Sequence, residues 1–264
     1  MKKSKLNLIV LPVALLTSVL ILGSCKASST PIKPSKSSVQ KRIEPDTIKK
    51  SEPEKDIQKT FNPGSLIQAV SEGDIEKTKE ILNSSDYQID EINEKSETPL
   101  LIAVHNNQVA IAKLLIDAGA NVNQQDTIQD SPYLYAGAEG RTEILSYILT
   151  HATPDQTVNN RYGGNALIPA AEKGHLENVK RLLADKRVAI DYQNKFGYTA
   201  LIEAVGLRDG SQVYQDIVAE LLRNGANPNI RDNSGRTALD YANQLGYSNI
   251  ANMIKAANAW AIPI

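Results

Sequence analysis

The chain of 264 residues is poor in several residue types, and each shortage removes a class of protein. It has one cysteine, three histidines, two phenylalanines and one tryptophan. A lone Cys25 excludes an intrachain disulfide framework and any cysteine-rich zinc site. His105, His151 and His175 are too far apart in sequence to form the i, i+4 pair that binds a metal on one helix face. No Gly-x-Ser-x-Gly elbow, phosphate-binding loop or dinucleotide fingerprint occurs. Catalysis, a cofactor and a metal are therefore not expected. Charge of one sign is also lacking: 29 Lys+Arg face 30 Asp+Glu, a formal net charge of -1. A nucleic-acid binder would be basic overall.

The averages hide three unlike segments. Lys2, Lys3 and Lys5 precede an almost wholly apolar run from Leu6 to Leu22, and no acid occurs before Glu44. This is the layout of an export signal. The run ends Leu22-Gly23-Ser24-Cys25, which resembles the bacterial lipobox. The resemblance implies that residues 1–24 are a lipoprotein signal peptide and that Cys25 is lipidated. Several acyl chains, each burying methylenes worth ~0.8 kcal/mol, would give durable membrane attachment. Lys26, rather than an aspartate, follows the cysteine, which favours the periplasmic face of an outer membrane if the host is Gram-negative.

Residues 25–62 read as a disordered stalk. They contain Pro31, Pro34, Pro45 and Pro53, no glycine, and 9 basic residues against 5 acidic ones. Such a segment buries too little apolar surface to offset its ordering entropy. In polyproline-like form it would reach roughly 115 Å.

From residue 63 the chain repeats itself. Thr98-Pro99-Leu100, Ser131-Pro132-Tyr133, Asn165-Ala166-Leu167, Thr199-Ala200-Leu201 and Thr237-Ala238-Leu239 follow one another at intervals of 33, 34, 34 and 38 residues. Leu66 opens a sixth, degenerate unit at the front. Each unit continues with a small residue (Ala69, Ala103, Ala136, Ala170, Ala204, Ala242), then an amphipathic run. Gly119-Ala120-Asn121 and Gly225-Ala226-Asn227 close two of those runs. Thr98, Ser131, Thr199 and Thr237 are helix N-caps by residue type, Pro99 and Pro132 suit a first turn, and Gly119 and Gly225 suit a left-handed helix end.

The pattern resembles the ankyrin repeat. The resemblance implies an all-α solenoid of about six helix-turn-helix units with hairpin loops, near 63–92, 93–125, 126–159, 160–193, 194–231 and 232–258. Trp260 and Ile262, in the apolar tail, would cover the end of the stack. Where the family often has a histidine, this chain has Leu101, Leu134, Ile168, Ile202 and Asp240. The third unit ends in Ala152 and the fourth in Asp185-Lys186-Arg187, both without the closing glycine. The fifth carries about five extra residues within Gly206–Gln212, expected as an extended loop; a hydrolase using Arg208 or Asp209 there is the minor alternative.

In ankyrin stacks the hairpin tips and the ends of the first helices line a concave binding face. The register places Arg161, Tyr162, Lys195, Phe196, Tyr198 and Arg236 on neighbouring tips, and His105 and Glu172 at first-helix ends. Aromatic and Arg side chains are the types enriched at protein interfaces; packing of these rings as scaffold is the alternative. From residue 63 on, 25 acids outnumber 17 bases, so the expected partner is a protein, of basic character, and not nucleic acid. The reading is a membrane-anchored protein-binding module of the bacterial envelope, or alternatively an inhibitor or immunity lipoprotein neutralising a toxin or envelope enzyme.

Overall fold

The computed structural model describes residues 59–84 and 86–260, without the Trp260 side chain. The lipobox, Cys25, the stalk up to residue 58, and Ile262 lie outside the described residues. Those described belong to one compact unit, residues 55–264.

Twelve α-helices form six pairs, with no strand among the described residues. The first helices of the pairs are α1 (Ser65–Glu72), α3 (Pro99–His105), α5 (Pro132–Ala138), α7 (Leu167–Glu172), α9 (Ala200–Gly206) and α11 (Ala238–Leu245). The second are α2 (Ile75–Leu82), α4 (Val109–Asp117), α6 (Thr142–His151), α8 (Leu176–Asp185), α10 (Gln212–Arg223) and α12 (Ser248–Trp260). Each first helix packs on the next first helix and each second on the next second, giving two layers. The core runs between them. The six register alanines are all at most 2% exposed; a methyl group there is what allows the layers to close. Leu101, Leu134, Ile168 and Ile202 are buried too, so the positions that could carry histidine have become apolar packing.

The helix starts follow the chemistry of the caps. Thr98, Ser131, Thr199 and Thr237 each accept the backbone N–H three residues on, and Thr237 and Asp240 complete a capping box. Asn165 does the same work in the fourth unit, accepting from Leu167 and Ile168. The degenerate first unit has Gly64 in place of a capping side chain. It borrows a cap instead: Glu91, from the next loop, accepts the amides of Gly64 at 2.6 Å and Ile67 at 2.9 Å.

The units are also tied end to end. Near the start of each second helix, a side chain reaches back to the C-terminal carbonyls of the previous unit's first helix, which have no partner in their own helix. Gln108 donates to Val70, Arg141 to His105, Asn178 to Ala136 and Gly137, Tyr214 to Glu172, and Tyr247 to Arg208 just beyond α9. Five different junctions are closed in one way by four different residue types.

Three features depart from the sequence reading. Phe61, assigned to the stalk, is half-buried against the core, edge-on to Tyr87 at 6.4 Å, and Tyr87 also donates to the Asn62 carbonyl. The added residues of the fifth unit are divided between the five-residue connection 207–211 and a lengthened α10 of 12 residues. That connection is fastened by an Arg208–Glu172 ion pair and by Gly210 against Tyr247, and is not a free extended loop. Lys186 takes the left-handed helix end (φ 61°) without being glycine. Arg187 holds this turn by gripping the Asp185 carboxylate with two nitrogens and the Leu149 carbonyl with one of them. Gly119 and Gly225 have φ of 90° and 92°, as their type suggests, and α6 ends with Ala152 extended.

Gly197, in the hairpin of the fifth unit, has φ +78°, and a Cβ there would lie 2.6 Å from the backbone nitrogen of Asn233. That nitrogen donates to Phe196 across the repeat junction. Gly197→Ala is therefore expected to destabilise the chain by about 1–3 kcal/mol, read as a lower urea midpoint at unchanged slope.

Candidate partner-binding face

Each hairpin is built on one Asn or Asp, five residues before the capping residue. Asn93, Asp126, Asn160, Asn194 and Asp232 each use Oδ1 to accept two backbone N–H groups, two and four residues on. Such short polar side chains stabilise turns by imitating a backbone acceptor. The residue between the two bound amides is thereby fixed at the tip. Neighbouring tips are joined by Thr127 N–H to Lys95, Lys195 N–H to Tyr162 and Asn233 N–H to Phe196.

Between the tips and the first helices of the third to fifth units lies a pocket of about 370 Å³. Tyr135, Tyr162, Phe196, Tyr198 and Leu207 give it aromatic and apolar walls. Tyr162 and Phe196 are about half exposed, at 53% and 51%. Tyr198 is half-buried: it touches Phe196 at 6.0 Å and stands edge-on to Tyr241 at 6.4 Å. Of the eight residues singled out in the sequence, Arg161, Tyr162, Phe196, Tyr198 and Glu172 line this pocket. Lys195 flanks it, donating to the Arg161 carbonyl at 2.8 Å. Arg236 lies apart, over the Tyr241 ring at 4.5 Å. His105 is also apart, against Tyr135 at 4.2 Å and 3.3 Å from Glu97. Tyr198 thus has both of the weighed roles, scaffold and surface, while Tyr162 and Phe196 point their area at solvent.

The pocket's acids are mostly paired. Asp130 meets Arg161 at 3.3 Å, and Glu139 pairs with Lys173. Burial pushes the Asp130 carboxyl up, against the pull of Arg161. Glu203 is different. It is 5% exposed, its Oε1 accepts from the Asn194 amide at 3.1 Å, and its Oε2 is buried with no hydrogen-bond partner. Burial first, and the nearby Glu172 second, push its carboxyl up to about 7; the Asn194 hydrogen bond and Arg208 work in the opposite direction.

Glu203 and Asn194 escaped the sequence reading, although a signal was there. Four residues after the cap, the second, third, fourth and sixth units carry Ile102, Tyr135, Pro169 and Tyr241 and only the degenerate first unit is polar, with Gln68, so Glu203 is the one acid in this register.

The ankyrin-repeat model of three copies matches residues 48–126, 66–160, 134–232 and 167–259. The chain belongs to the ankyrin-repeat family. Over 171 residues it is 39% identical to the ankyrin repeat protein YahD of Escherichia coli K12, covering 65% of this chain and 85% of that one. The crystal structure of the ankyrin repeat protein EF0377 matches with a TM-score of 0.74 at 63% identity, over 74% of this chain and 98% of that one. An ankyrin repeat domain from Acinetobacter baumannii AYE matches with a TM-score of 0.71 at 46% identity, over 75% and 99% of the two chains. Ankyrin repeats are protein-interaction modules, in general without catalysis.

The raised Glu203 carboxyl has a measurable consequence. The folded chain holds this proton between pH 4.5 and about 7, where the unfolded chain has released it, so stability falls as pH rises through that window. Glu203→Gln removes this dependence. Its stability relative to the unmutated chain should rise by up to about 3 kcal/mol between pH 4.5 and pH 8 in urea titrations.

Proposed function

We propose that the chain is a lipid-anchored protein-binding module of the bacterial cell envelope, acting by non-catalytic recognition through the face that carries Tyr162 and Phe196. The observation behind this is the pair of half-exposed rings on adjacent tips beside a pocket, in a family of interaction modules. Large aromatic surfaces held on rigid turns bind with little loss of side-chain freedom. The partner is a protein of net positive charge, matching 25 acids over 17 bases from residue 63 onward. Nucleic acid is disfavoured by the same count.

The anchor rests on the sequence Leu22-Gly23-Ser24-Cys25 after the Lys-flanked apolar run. Residues 25–58 would then hold the module away from the membrane. Lys26 favours the outer membrane, on its periplasmic face, in a Gram-negative host. Among the described residues no helix is long and apolar enough to cross a membrane. The second reading, an inhibitor or immunity protein, is favoured by the acidic module, which suits a basic toxin or enzyme. It requires that the chain block such a protein's activity when the two are co-expressed.

Two measurements test the proposal. Cys25→Ser should abolish palmitate labelling of the chain; labelling that persists in the variant defeats the anchor. Phe196→Ala should lower partner recovery from native envelopes several-fold, with stability within ~0.5 kcal/mol because the ring is exposed. Undiminished recovery removes this face from the assignment.

A further inference from the structure

Glu203 stands out in the pocket as the acid left without an ion pair. Asp130, Glu139 and Glu172 each have a cation in contact. Glu203 has an amide on one oxygen and nothing on the other. A buried carboxylate with an orphan oxygen is costly to a fold. In this chain the cost is imposed at a fixed place. Asn194 spends its Oδ1 on the amides of Phe196 and Tyr198, and that orients its NH₂ group toward Glu203. The same Asn therefore sets the tip rings and the carboxylate relative to each other.

The surroundings select the sign of what could satisfy Glu203. The lining holds four acids and two bases, and both bases are already engaged with acids. The rings of Phe196 and Tyr198 stand beside this negative site, and aromatic faces attract cations. A volume of about 370 Å³ lies at the small end of ligand pockets, enough for one long side chain and too small for a helix. Glu203 is itself part of the cavity lining, and the terminal torsion of a glutamate is soft, so its carboxylate is free to reorient toward a cation.

We propose that this pocket is a recognition slot for one lysine or arginine side chain of the partner protein, with the charged head paired to Glu203 and the methylene stem laid along Phe196 and Tyr198. Long basic side chains bury their stems on apolar surface while their heads find a partner. The slot deepens the protein-binding reading above and rests on it: it assigns what the partner must present at the centre of the contact.

The test uses the full-length ¹⁵N-labelled chain in detergent micelles and three small probes: N-acetyl-lysine amide, N-acetyl-arginine amide and the neutral N-acetyl-norleucine amide. The two cationic probes should shift the Phe196, Tyr198 and Asn194 backbone amides saturably, and norleucine amide should not. Glu203→Gln should weaken the cationic probes at least roughly tenfold, while the remaining amide spectrum shows that the chain is folded. Equal binding of norleucine amide, undiminished binding to the Gln variant, or no shift with any probe overturns the slot. Preference between the lysine and arginine probes identifies the head group. The two readings fail separately. If Glu203→Gln leaves both probe binding and envelope recovery intact while Phe196→Ala loses recovery, the face stands without the slot. If probes bind in a Glu203-dependent way but no protein is recovered, the slot stands without a protein partner.

Discussion

One side-chain oxygen per hairpin sets the geometry of the tips and of the pocket beneath them. The Oδ1 of Asn93, Asp126, Asn160, Asn194 or Asp232 gathers two amides and folds five residues into a compact tip. Without that acceptor the amides would need water or another strand, and the tip would open. Because the same acceptor recurs at the same place, the tips line up and their backbones bond to one another. Asp232 shows that the position can carry further work: its second oxygen takes the Tyr241 hydroxyl at 2.6 Å. Asn194 does likewise with its NH₂ group, and that is how a scaffold residue comes to orient an acid in the pocket.

Stacking depends on a second recurring solution. Each of the first five first helices ends in carbonyls left over from its own helical ladder, and the next unit supplies a donor at or just beyond that end. The donor differs at each junction (Gln108, Arg141, Asn178, Tyr214, Tyr247) because geometry asks only for an N–H or O–H at a given reach. Between these clasps and the alanine-lined core each unit is held by its neighbours alone, as in any solenoid. The fifth unit tolerates extra residues for this reason. They lengthen α10 and lift Arg208 onto Glu172 without disturbing the register of the sixth unit.

The fold was largely legible because its determinants are local and repeated: a capping hydroxyl, a first-turn proline, a small residue, a left-handed glycine. Asn165 was harder to read as a cap than Thr98, since it stands where the neighbouring units have a hydroxyl residue, yet its side chain bonds in the same way. The pocket was legible only at its rim. Tyr162 and Phe196 are conspicuous as aromatics at tip positions. Whether Tyr198 faces solvent depends on Tyr241, 43 residues on, and no local pattern encodes that contact. Glu203 required comparison between units at one register, because an acid inside a helix usually means a wet face. The burial of Phe61 likewise depends on Tyr87, which lies in a loop whose path composition does not reveal.

The borrowed cap on α1 gives the stack a mechanical polarity. α1 has no capping side chain of its own and is held by Glu91, Tyr87 and the ring of Phe61. Tension arriving from residues before 59 enters the fold through this weakly secured pair of helices. Fraying there would uncover the buried faces of Leu66, Val70 and Ile81 and leave α3, capped by its own Thr98, as the first helix. The first unit would then yield first under pull, while the tips of the fourth and fifth units, three junctions and more away, keep their shape.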